Sequence, residues 1–104
     1  MREYCIVLTT FENKEQGKTV IDVILQEKLV ACVQEVDIQS HYVWKDELCN
    51  DNEILVLMKT TNELYEVLKD RLLEIHPYET PEIVRIDIAD GSKGYLSWIK
   101  EVTR

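Results

Sequence analysis

Residues 31–58 read ACVQEVDIQSHYVWKDELCNDNEILVLM, and the period of this stretch decides the fold. Val36, Ile38, Tyr42 and Trp44 fall on one face of an extended chain, and Glu35, Asp37, Gln39 and His41 fall on the other. That alternation predicts a long, half-exposed strand. A turn at Lys45, Asp46 and Glu47 reverses the chain into a second strand, which passes through the irregular Asn50-Asp51-Asn52 into the continuous apolar run Ile54-Leu55-Val56-Leu57-Met58. An uninterrupted apolar run reads as a central strand covered on both faces.

Working outward, residues 4–8 form a short run of strand formers, and Asn13 followed by Gln16 makes a capping box for a helix ending near Lys28. Its apolar stripe is Val20, Ile21, Ile24, Leu25 and Leu29. C-terminal to the hairpin, Thr60 with Glu63 predicts a second capped helix, with Leu64, Val67, Leu68, Leu72 and Ile75 at helical spacing until Pro77 stops it at or just before His76. Residues 82–88 alternate as a strand, Asp90-Gly91-Ser92 is a loop, and Tyr95, Leu96, Trp98, Ile99 and Val102 suggest a terminal helix.

The order is therefore βαββαβ with an extra C-terminal helix, the α+β split arrangement of ferredoxin-like domains. At 104 residues, 1–104 is one domain with one core. Helices cover one sheet face and leave the other without a covering layer, while the two middle strands outrun the usual length of about 5 to 6 residues. Projecting edges of that kind are relieved by pairing with copies of the same chain in a closed ring, so a homo-oligomer is expected.

Composition narrows the function. The formal charge is −8, with basic residues scattered singly among acids, so nucleic acid and anionic membranes are disfavoured and a cationic ligand fits better. Apolar runs stop far short of the ~18 residues of a membrane span, and the first residues lead straight into a strand pattern without a signal peptide, which points to the cytoplasm. Cys5, Cys32 and Cys49 are odd in number and lack a framework spacing, as expected of reduced thiols.

Residues 75–82, IHPYETPE, are the expected functional surface. His76 lies at a helix end near Tyr78, Glu79 and Glu82, where an imidazole either favours the helix dipole or ligates copper or zinc. Glu79 and Glu82 are the neighbouring carboxylates, available as hard oxygen ligands, as acid and base, or as solvated loop charges. Cys32, at an apolar strand start, is either a small buried hydrophobe or a metal ligand. Cys5 and Cys49 read as core and incidental, and His41 as solvated. Tyr42, Trp44 and Trp98 read as interface packing or the lining of a groove. Glu53 and Lys59, six apart, share a strand face and permit a polar pair, provided that Asn50-Asp51-Asn52 does not shift the register. No Ser-His-Asp order, phosphate-cradling Gly loop or two-metal acidic cluster is present, so catalysis is not expected.

Several separated segments in order resemble the CutA family of divalent-cation tolerance proteins: Val7-Leu8-Thr9-Thr10, Leu29-Val30-Ala31-Cys32-Val33, Tyr42-Val43-Trp44, Glu53 with Lys59-Thr60-Thr61, His76-Pro77-Tyr78-Glu79-Thr80-Pro81-Glu82, and Gly94-Tyr95-Leu96-Ser97-Trp98. The resemblance implies a ferredoxin-like trimer similar in architecture to the PII signalling proteins, and a part in tolerance of or response to copper (Cu2+) and other divalent cations. The chain departs from the family pattern at Glu12, Val30 and Asp46, and has Thr9 and Arg71 where some proposed copper binders carry Cys, which leaves Cys32 alone of that thiol set. Three functions follow as expectations: divalent metal bound at intersubunit clefts through His76, Cys32, Glu79 and Glu82; a PII-like small-molecule sensor; or a structural trimeric scaffold for a protein partner.

Overall fold

Thr9 and Thr10 prolong the first strand beyond its apolar run, because β-branched side chains suit the pleat and β3 supplies pairing partners as far as Phe11. In the computed structural model, which describes residues 3–104, the order is β1 (Tyr4–Phe11), α1 (Lys14–Gln26), β2 (Cys32–Trp44), β3 (Glu47–Thr61), a 3-10 turn (Asn62–Leu64), α2 (Tyr65–Ile75), β4 (Val84–Asp87) and α3 (Lys93–Val102). The strands form a four-stranded antiparallel sheet in the order β2-β3-β1-β4. Each βαβ unit is split by an antiparallel strand, as the element order predicts.

Asn13 caps α1 as expected, its side chain accepting from the Gln16 N–H at 2.8 Å, while Gln16 Oε1 reaches one residue past the cap and accepts from the Glu12 N–H at 2.8 Å. The helix ends in a Schellman turn. Lys28 sits at φ 57°, with Leu29 N–H bonded to Ile24 O and Lys28 N–H to Leu25 O, each at 3.0 Å. The expected box at Thr60 and Glu63 does not form. Strand pairing holds Thr60 opposite Cys5, its hydroxyl donates to Leu29 O at 2.7 Å, and the 3-10 turn begins after Thr61 without a side-chain cap. Tertiary pairing thus overrides a local capping pattern. The last strand is also shorter than residues 82–88, because only Val84–Asp87 find ladder partners on β1.

Alternate residues of β1 and β3 build the core: Cys5, Val7 and Phe11 with Ile54, Val56 and Met58 pack under Val20, Ile24, Leu68 and Leu72 of the two long helices. Gly17 permits the close approach of α1, since a Cβ there would stand 3.1 Å from the Phe11 ring. The opposite sheet face carries Val36, Val84 and Ile86, each close to half exposed. Near one end of that face, α3 rests on β3, with the Lys59 ammonium 5.2 Å from the Tyr95 ring centre and Ile99 fully buried.

The hairpin register is unbroken from Cys32 opposite Lys59 to Trp44 opposite Glu47, so Asn50-Asp51-Asn52 introduces no kink. The turn is the two residues Lys45 and Asp46, at φ 49° and 66°, the left-handed pair that a tight hairpin requires. Because β1 pairs β3 only from Ile54 onward, the hairpin half containing Tyr42, Trp44, Leu48 and Asp51 runs on as a two-stranded ribbon. Leu48 is 89% exposed and Val43 66% exposed on it. Among the described residues, no helix is long and apolar enough to cross a membrane.

Candidate functional site

The site grows from the end of α2. Pro77 cannot donate the hydrogen bond that would continue the helix, so the chain leaves the helical path at His76, whose backbone is extended (φ −70°, ψ 133°). This directs the imidazole inward. The ring stacks on Phe11 at 4.5 Å between centroids and meets the edge of Tyr78 at 4.9 Å, and the residue is 8% exposed.

Both ring nitrogens are engaged. Nε2 lies 3.0 Å from Thr10 O and 3.0 Å from Thr9 Oγ1, and Nδ1 accepts from the Tyr78 N–H at 3.1 Å. A carbonyl can only accept, so Nε2 carries the proton and the imidazole is neutral. Burial lowers its pKa below the ordinary 6.5, against the smaller upward pulls of Thr10 O and Glu53. His76 is thereby the tie between the loop and the end of β1, and it places Tyr78 so that its hydroxyl donates to Glu53 at 2.7 Å. Burial of the Tyr78 phenol, then the Glu53 carboxylate, pushes its pKa well up.

In front of this tie lies a cleft of about 790 Å³. The ribbon supplies Tyr42, Trp44, Asp51 and Glu53 to one wall, the loop supplies Tyr78, Glu79, Thr80 and Glu82 to the other, and Thr10 and Glu12 close the end of β1. Tyr42 donates to Asp51, its diagonal cross-strand neighbour, and that bond is the main reason its phenol is pushed up to about 12. Among the described residues, no Lys or Arg lines it.

Tyr42, Trp44, Glu53, Tyr78, Glu79 and Glu82 are gathered in the lining of this one cleft. Four other residues are not. His76 stands behind the wall with its nitrogens engaged, and Cys32 pairs with Lys59 at the far end of β2. Lys59 lies under Tyr95 instead of meeting Glu53, because six residues of regular strand separate their positions along one face. Trp98 packs beside Tyr95 on α3 and is 38% exposed. Sequence reasoning passed over Glu12, Asp51 and, as a wall residue, His41. The signal for Asp51 was its parity with Glu53 on β3, which the apparent irregularity of Asn50-Asp51-Asn52 concealed.

Among the described residues, the lining offers carboxylates and the His41 imidazole with no thiol, which suits a hard or borderline cation better than a soft one. Among the described residues, however, no group of three or more His, Cys, Asp or Glu converges to hold a metal ion.

The family model described as CutA1 divalent ion tolerance protein matches residues 5–102. A divalent-cation tolerance protein CutA of Thermus thermophilus is 40% identical over 99 residues, covering 94% of this chain and 96% of that one. "Protein CutA, chloroplastic" of Arabidopsis thaliana is 40% identical over 100 residues, covering 95% of this chain and 55% of that one. The crystal structure of CutA1 from Pyrococcus horikoshii superposes with a TM-score of 0.93 at 37% identity, covering 96% of this chain and 98% of that one. Sequence and fold agree over almost the whole length, and the chain belongs to the CutA1 divalent ion tolerance family.

Proposed function

We propose that the chain acts in divalent-cation tolerance as a non-catalytic homotrimer in the cytoplasm, taking up cations in the cleft between the ribbon and residues 75–82. The observation that carries this reading is the gathering of Glu12, Asp51, Glu53, Glu79 and Glu82 around one space that, among the described residues, no Lys or Arg lines. Mutual repulsion among such carboxylates is relieved by an entering cation. Glu79 and Glu82 keep their expected part as ligands, while His76 becomes a positioning residue and Cys32 drops out of the metal set. The donors missing from one chain come from a neighbouring copy.

Trimer formation is supported by the unpaired ribbon and by the half-exposed Val36, Val84 and Ile86 on the face away from α1 and α2. Equal association with two neighbours in a ring gives each ribbon a partner without leaving an open edge. The cytoplasm is the simplest compartment for free cysteines, although the relative from Arabidopsis is named chloroplastic and the family therefore spans compartments.

Equilibrium dialysis against Cu2+ and Zn2+, together with sedimentation of the same samples, tests both parts. Saturable binding that falls in Glu79→Gln/Glu82→Gln, on a species of three chains, is expected. Binding that ignores the double substitution, or a stable monomer at micromolar concentration, would refute the corresponding part.

A further inference from the structure

The cleft has two properties that a bare metal ion does not use. Its volume of about 790 Å³ is that of a small-molecule pocket, whereas a water-sized occupant takes up about 30 Å³. Its walls also include three aromatic side chains, Tyr42, Trp44 and Tyr78.

The hydroxyls of both tyrosines are already spent, on Asp51 and Glu53 respectively, so what they still offer a ligand is ring surface. Ring surface attracts organic cations, whose charge is spread over weakly hydrated groups carrying an apolar body, and does little for a hydrated metal ion. The ribbon shows the same chemistry at its tip, where the Lys45 ammonium lies 5.6 Å from the centre of the Trp44 ring.

The charges are arranged on both walls. Glu53 and Asp51 stand on the ribbon and are held by tyrosine hydroxyls; Glu79 and Glu82 stand on the opposing loop. Among the described residues, no salt bridge joins Glu12, Glu79 or Glu82 to a base. Among the described residues, no three of these carboxylates converge on one point, and carboxylates spread over two walls suit a ligand with more than one positive centre.

We infer that the cleft binds an organic polyammonium ion, a flexible aliphatic amine whose charged groups meet the carboxylates of the two walls while its methylenes lie against Tyr42, Trp44 and Tyr78. This rests on the cleft as the ligand site but not on metal binding. One chain supplies residues to both walls, and the ligand competes with any metal that enters.

Isothermal titration with spermidine as the probe, on the full chain at fixed salt, tests the inference. Saturable binding is expected, weakened at least tenfold in Glu79→Gln/Glu82→Gln and severalfold in Trp44→Ala, restored in Trp44→Phe, and unchanged in Glu63→Gln/Glu101→Gln, which removes the same charge elsewhere on the surface. Equal weakening in the two double variants would reduce the interaction to net charge and overturn the inference, as would unsaturable binding or indifference to Trp44→Ala. Titrating Cu2+ alone on the same proteins separates the two readings. Copper binding without spermidine binding sinks this inference only, and spermidine binding without copper binding sinks the metal reading only.

Discussion

Replacing His76 by Asn isolates the one buried titratable group behind the cleft. Asn can still accept the Tyr78 N–H, as an Asx turn does, but its shorter amide does not span to Thr10 O as Nε2 does, and it has no protonation equilibrium near neutrality. In the wild type, burial holds the folded imidazole below its ordinary 6.5, so the unfolded chain takes up a proton first as pH falls. A state that binds more protons is favoured by acid. The contribution of neutral His76 is therefore fully present above about pH 6.5 and is lost between that value and the depressed folded pKa. The slope approaches about 1.4 kcal/mol per pH unit, the value for one proton. Geometry agrees with the direction: a proton on Nδ1 would face the Tyr78 N–H, turning a hydrogen bond into two opposed donors. Denaturant unfolding at fixed protein concentration, measured for both proteins from pH 7.5 to 5.0, reads the effect as a difference in which other groups cancel. The wild-type advantage should narrow on acidification, with a slope no steeper than that one-proton limit. A constant or widening advantage would refute the reasoning, since it would mean that the folded ring accepts the proton as readily as the unfolded one.

Asp51→Asn should bring the Tyr42 phenol down from about 12 toward the ordinary 10, visible in the ultraviolet tyrosinate titration; an unmoved transition would show that the carboxylate is not its partner. Thr60→Val keeps the strand shape but strips the buried Leu29 carbonyl of its donor, and thermal unfolding should register a loss of about 1 kcal/mol. Lys28→Gly relieves a left-handed residue at the end of α1, and Asp46→Gly does the same in the hairpin turn; each should stabilise by roughly 0.5–1 kcal/mol, and a lowered melting temperature would count against the strain at that position.

The alternation in residues 31–44 was legible because a strand's two faces meet different environments, and β2 carries Val36, Ile38, Tyr42 and Trp44 on the face where the register places them. The cap at Asn13 and the stop at Pro77 were equally local, each depending on a few adjacent bonds. Thr60 misled for the converse reason: it has the residue types of a cap, but its hydroxyl is claimed by Leu29, 31 residues away. The site was legible in its membership more than in its roles. Tyr78, Glu79 and Glu82 announce themselves as a polar loop after a helix, and the cleft contains all three. That His76 serves as a tie could not be read, because Phe11, Thr9 and Thr10 reach it from 65 or more positions earlier in the chain.

Taken alone, the amino-acid sequence determined the element order, the excess negative charge, the polar character of the 75–82 segment and the family, since all of these follow from neighbouring residues or from residue types in order. Tertiary structure decided which side chains share a space. The turn at Lys45 and Asp46 folds Asp51 back beside Tyr42, the sheet order sets Glu53 within reach of Tyr78, and the crossing of β1 beneath the loop engages Nε2 of His76. Those distances depend on strand pairing and helix packing over long separations, which is why a histidine that reads as a metal ligand in the chain becomes, in the fold, the support of an acidic and aromatic cleft.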